Sequence, residues 1–171
     1  MGDIGQVMLS TDPSSREVRE VRNPAELLAL ADPIALRTAV SEYVVAKHWA
    51  HGYEVLTPFE HTIRLAFDCA RHEDHGTLLA EAFRGKERCS ELVAVLEEIG
   101  ARHAAAALWR AHVLCAAVPA ERAASASTPD DWCNLIGHEE VVALESMFVE
   151  SEVWDRILLF VTVNRHRFRP D

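Results

Sequence analysis

The stretch Glu91-Leu92-Val93-Ala94-Val95-Leu96-Glu97-Glu98-Ile99-Gly100-Ala101-Arg102, continued by Ala104-Ala105-Ala106-Ala107-Leu108-Trp109, decides the fold class. Leu92, Val95, Leu96 and Ile99 recur at helical spacing. Glu91, Glu97 and Glu98 fall on the opposite side, so the segment reads as an amphipathic helix. Gly100 stands where a helix ends in a left-handed residue. Ala104, Ala105, Leu108, Ala111, His112 and Cys115 then form a narrow stripe of mostly small side chains, which lets a neighbouring helix come close. The pattern predicts an antiparallel helix pair over Glu91–Val118, with the remaining helices packed around it.

Working outward, Thr57-Pro58-Phe59-Glu60 has the residues of a capping box with proline in the first turn. Phe59, Ile63, Ala66, Phe67 and Ala70 give the inward face of that helix, and Arg64, Asp68 and Arg71 are expected to point outward. Asn23-Pro24 and Asp32-Pro33 start two earlier helices, the second running to about His48 with Leu36, Val40, Tyr43 and Val44 inward and Gly52 able to close it. A short helix is expected over Thr77–Phe83, ended by Gly85, and another start at Thr128-Pro129-Asp130-Asp131. Two helices complete the chain, one from about His138 to Phe148 and one capped by Ser151. Val153, Trp154, Ile157, Leu158, Phe160 and Val161 cover most of the last helix, which predicts that it is buried. Period-2 alternation is absent. The chain is read as all-α: a single-domain irregular bundle of about six to eight helices over residues 23–171, preceded by a flexible or extended arm over 1–22.

The 171 residues are 49% hydrophobic, which supports a sizeable core. The net charge is −10, the wrong sign for neutralising DNA phosphates or docking on an anionic membrane. A basic protein surface is its electrostatic complement. Cys69, Cys89, Cys115 and Cys133 are widely spaced, so no disulfide framework is expected. No signal peptide, myristoylation pattern or membrane-length apolar run is evident, and the cytoplasm is the expected location.

His72-Glu73-Asp74-His75 is the most chemical-looking cluster. Its histidines are three apart rather than the four of H-E-x-x-H, and His138-Glu139-Glu140 is the one companion group it could recruit. A solvated loop is the favoured reading, with no metal and no cofactor. His112 reads as a core or interface histidine, and neither a nucleophile elbow nor a phosphate loop is present. Charge patterning says more. No Lys or Arg occurs between Arg122 and Arg156, while Asp130, Asp131, Glu139, Glu140, Glu145 and Glu150 lie within that gap and are the candidate partner-binding residues.

Leu56-Thr57-Pro58-Phe59-Glu60, His75-Gly76, Phe83, Gly85 and the helix end Val95-Leu96-Glu97-Glu98-Ile99-Gly100-Ala101 together resemble the bacterial DNA-mimic-protein family, first catalogued as a domain of unknown function. The resemblance covers about residues 55–165 and rests most on Ile99-Gly100-Ala101. The family's Asn- and Gly-rich turn is replaced here by Asp74-His75-Gly76-Thr77-Leu78, with Ala80 in place of Gln and Arg84 in place of Asn. The resemblance implies an all-helical acidic protein without catalysis, whose carboxylates stand in for DNA phosphates and occupy a transcription regulator or another DNA-binding protein. Carboxylates at i and i+4 on a helix are about 6 Å apart, comparable with phosphates along a strand. The alternatives are an immunity- or antitoxin-like inhibitor of a basic toxin, and a metal-dependent enzyme using the His72–His75 loop. A second copy of the chain is a further admissible partner.

Overall fold

A computed structural model describes residues 24–73, 86–126, 128–149 and 153–168. The arm at 1–22, the short helix expected over 77–83, the Asn23 and Ser151 caps and Glu150 lie outside the described residues.

Three helix starts are local solutions to one problem, the first N–H groups that have no partner within the helix. The Asp32 carboxylate accepts the N–H of Ala35 at 2.9 Å. Thr57 Oγ1 accepts the N–H of Glu60 at 3.3 Å, while Glu60 Oε2 accepts the N–H of Thr57 at 2.8 Å. Thr128 and Asp131 exchange the same pair at 3.2 and 2.9 Å. A proline follows each cap, where its missing N–H costs nothing.

The helices so begun, and those between them, are α1 Pro24–Leu28, α2 Pro33–His51, α3 Pro58–Glu73, α4 Lys86–Glu98, α5 Arg102–Ala117, α6 Ala120–Ala123, α7 Pro129–Ile136, α8 His138–Val149 and α9 Val153–Val163. Short 3-10 turns stand at Tyr53–Val55 and Arg165–Arg167, and the described residues contain no strand. The all-α reading holds, and no helix among the described residues is long and apolar enough to cross a membrane.

The α4–α5 pair forms as its sequence implies. Gly100 has φ +87°, and the N–H groups of Gly100 and Ala101 turn back to the carbonyls of Glu97 and Leu96 at 3.0 and 2.7 Å. Ala104, Ala105, Ala107, Leu108, Ala111 and Cys115 bury the inner side of α5, which packs on both α4 and α8.

The hub, however, is α3. It packs against α2, α4, α8 and α9, and so joins the group α2–α3–α9 to the group α4–α5–α8. Phe59, Ile63, Leu65, Ala66, Cys69 and Ala70 are buried on it. Phe59 stacks on Phe160 at 5.3 Å and meets Phe168 edge-on at 5.8 Å, which ties α3 to α9 and to the turn that follows.

Two expectations are corrected here. Arg64, expected outward, is only 8% exposed, because neighbouring helices cover α3 on the side that the apolar pattern left open. The last helix, α9, is not covered all round. Val153, Ile157, Phe160 and Val161 are buried, but Leu159 is 51% exposed, because α2 and α3 pack on one side of α9.

This asymmetry predicts the stability of two variants on α9. Ile157→Ala removes a fully enclosed side chain and should cost about 2–5 kcal/mol. Leu159→Ala should change stability by no more than about 0.5 kcal/mol. Urea unfolding of the two variants checks both, and equal losses would mean that α9 is enclosed on both sides.

Candidate functional site

Burying α3 forces its polar side chains to find partners on α2 and α4. Glu60, besides capping its own helix, receives Lys47 of α2 at 3.2 Å, and this ion pair is nearly enclosed. The hydroxyl of Thr62 lies 2.9 Å from Glu98 Oε2 on α4 and 3.0 Å from the Pro58 carbonyl, so one proton serves either acceptor. Arg64 donates from Nε to His48 Nδ1 at 3.2 Å and pairs through Nη1 with Asp68. Accepting at Nδ1 places the His48 proton on Nε2.

These contacts extend into a closed circuit. Asp68 faces Arg88 of α4 at 3.9 Å, Arg88 donates to Glu91 at 2.8 Å, and Glu91 stands 3.8 Å from His61 Nε2. The His61 ring meets Tyr53 edge-on at 5.3 Å, and Tyr53 lies 3.9 Å from the His48 ring where the circuit began. Asp68–Arg88 and Thr62–Glu98 also fix α3 and α4 as antiparallel, since one number rises as the other falls.

At the end of the α3–α4 pair nearest Gly100 a groove of about 510 Å³ opens. Leu56, Pro58, His61 and Thr62 line one side, and Glu91, Ala94, Val95 and Glu98 the other. The α4 wall is a single helical face, i, i+3, i+4 and i+7, with the small Ala94 between two carboxylates. Beside the groove the exposed Tyr53 packs on His61 and His48, and the His48 ring also meets Trp49, which is 77% accessible.

The acidic residues singled out in the sequence fall less uniformly than their spacing suggests. Asp130 and Glu139 are exposed in the first turns of α7 and α8. Asp131 is engaged in the Thr128 cap. Glu140 pairs with Arg110 of α5, so the Arg122–Arg156 gap holds along the chain but not in space. Glu145 is half-buried on α8, and burial pushes its carboxyl above the ordinary value, with His138 opposing the shift. Glu150 lies outside the described residues, as do Asp74 and His75 of the His72–His75 cluster. Among the described residues no three His, Cys, Asp or Glu side chains converge as metal ligands. His138 instead stands 3.4 Å from Cys133 Sγ. Burial pushes the Cys115 thiol up to about 12, so it carries no thiolate at neutral pH.

The groove residues escaped the sequence reading because Glu91 and Glu98 look like the solvated side of an amphipathic helix. The available signal was the pair of matched triplets, Pro58-His61-Thr62 and Glu91-Ala94-Val95, each at i, i+3, i+4.

Two stability measurements probe these assignments. Glu60→Ala removes both a cap and the partner of an enclosed ammonium, and should cost about 3–5 kcal/mol. Lys47→Met keeps the cap but strands the enclosed Glu60 carboxylate, and should also cost about 3–5 kcal/mol, whereas replacing both partners by apolar side chains should cost less than either. For Glu145, the folded state holds the proton more tightly than the unfolded chain. Its contribution is therefore favourable in acid and is lost as pH rises through the raised value. Glu145→Gln should gain stability relative to the parent as pH rises above the ordinary carboxylate range. A difference independent of pH in urea unfolding would refute the burial of this carboxyl.

A scan against protein-family models, a search of curated proteins and a search of solved structures found no match to this chain.

Proposed function

We propose that this chain is a non-enzymatic acidic interaction protein that occupies a basic protein partner, with a DNA-binding protein as the specific version. The observation that carries the reading is the surplus of acids at the surface. Lys47, Arg64 and Arg88 turn inward onto Glu60, Asp68 and Glu91 and are largely covered, and these pairs cancel locally. Glu54, Glu87, Glu97, Asp130, Glu139 and Asp155 meanwhile stand exposed, and the net charge of −10 is the electrostatic complement of a basic partner. The resemblance of Leu56–Ala101 to the DNA-mimic proteins supports the specific version. The half-covered, partly paired acids at Glu140 and Glu145 narrow the candidate contact on α7–α8 to Asp130 and Glu139, with Asp131 beside them.

Charge-steered binding has a defined signature. Affinity for the partner should fall steeply as the Debye length shrinks from about 10 Å at 0.1 M salt to about 3 Å at 1 M. A double charge reversal, Asp130→Lys with Glu139→Lys, should slow association more than it speeds dissociation. It should shift folding stability by no more than about 0.5 kcal/mol, because both residues are exposed. The measurement is surface plasmon resonance against partners captured from the source-cell lysate, with and without competing duplex DNA. Displacement by DNA supports the mimic version; binding that DNA leaves untouched supports a basic toxin. An affinity that is flat in salt overturns the proposal.

A further inference from the structure

Resting on that reading, we propose that the groove between α3 and α4 is the docking site for an amphipathic basic helix of the partner, with an apolar side chain seated between two of its cations. The groove volume of about 510 Å³ lies within the range that receives ligands and anchor side chains. Its floor is apolar, from Leu56, Pro58, Ala94 and Val95, and its α4 wall ends in Glu91 and Glu98. Two residues seven apart on a helix are about 10.5 Å apart along its axis. A partner helix lying along α4 therefore meets both carboxylates with Lys or Arg at i and i+7, and places an apolar residue at i+3 or i+4 against Ala94. That is the helix-in-groove mode of recognition, with charge fixing register and the anchor supplying contact.

Charge complementarity selects this occupant over a neutral or acidic one. Glu91 and Glu98 are both exposed. Glu91 Oε2 is held by Arg88 at 2.8 Å while its Oε1 faces only His61 at 3.8 Å, and Glu98 accepts the Thr62 hydroxyl on Oε2, so each carboxylate keeps one oxygen for an incoming donor. Tyr53, itself exposed, meets the His61 ring of the groove wall edge-on and offers an incoming helix aromatic surface there. Ala94 is the control point: it is exposed, so a larger side chain there fills the groove without entering the core.

The test uses the full chain, isotope-labelled, titrated with a leucine–lysine amphipathic helical peptide and with a charge-matched peptide whose leucines are serines. Amide shifts should move at Leu56, His61, Thr62, Ala94 and Val95. The serine peptide and the Ala94→Phe variant should each bind at least tenfold more weakly, and Glu98→Gln a few-fold more weakly, with circular dichroism unchanged. Should Ala94→Phe fail to fold, Glu98→Gln and Glu91→Gln carry the test. Shifts confined to Asp130 and Glu139, with Ala94→Phe indifferent, overturn the groove and leave the acidic-interaction reading standing. Failure of both peptides to bind at low salt overturns both. Groove shifts that appear on concentrating the protein alone assign the site to a second copy. Binding seen only after removal of residues 1–22 assigns it to the chain's own leading segment. Either result overturns the proposal.

Discussion

A charged side chain can be buried only where it is paired and hydrogen-bonded, and α3 places Glu60, Thr62 and Arg64 inside the molecule together. The rest of the arrangement depends on meeting that constraint. Lys47 and His48 are adjacent on α2, and each serves a different residue of α3, Glu60 and Arg64. Arg88, Glu91 and Glu98 do the same from α4, one and then two turns apart. The two neighbours are thereby held in register by polar contacts, whereas α9 is held by aromatic ones, Phe59 on Phe160 and Phe67 on Trp154. Apolar packing alone tolerates sliding and repacking. An ion pair in a covered position does not, because slipping by one turn strands a charge.

The fold was legible where local chemistry determines it. Caps of the Thr57–Glu60 and Thr128–Asp131 kind depend on four consecutive residues, and the Gly100 turn on two backbone hydrogen bonds, so a linear reading contains the whole cause. Burial of Arg64 is different in kind. Nothing within its own helix says that His48, sixteen residues earlier, will accept its Nε proton. The exposure of Leu159 is the mirror case. Its helix is apolar almost all round, yet which side stays open depends on where α2 and α3 end up, a tertiary outcome that no helical period encodes.

The same division explains the site. The absence of Lys and Arg between Arg122 and Arg156 is real along the chain, but a field acts through space. Arg110, three helices earlier, reaches Glu140 because α5 and α8 are packed side by side. Asp131 is singled out by the sequence as a partner-binding acid, but its carboxylate is engaged in the Thr128 cap. The groove was not legible, because it is a gap between two helices. Its walls come from two amphipathic patterns that each look complete on their own.

What links the buried network to the surface is the allocation of charge. Each of Lys47, Arg64 and Arg88 that is drawn onto α3 or its neighbour is a cation unavailable to the exterior. The acids they pair with are only partly removed in return. Glu60 is enclosed at 3% exposure, but Glu91 remains exposed on the groove wall, with Glu98 two turns further along the same helix. The network thus fixes the helices that form the groove, with Glu91 held by Arg88 and Glu98 by the Thr62 hydroxyl. Field lines from carboxylates beside a low-dielectric apolar floor are less screened than those from a carboxylate alone in solvent. In the docking mode proposed for the groove, a cation flanking an apolar anchor would meet both features at once. Neutralising the wall acids would then weaken attraction without closing the groove, whereas filling the space at Ala94 would remove the anchor contact and leave the charge in place.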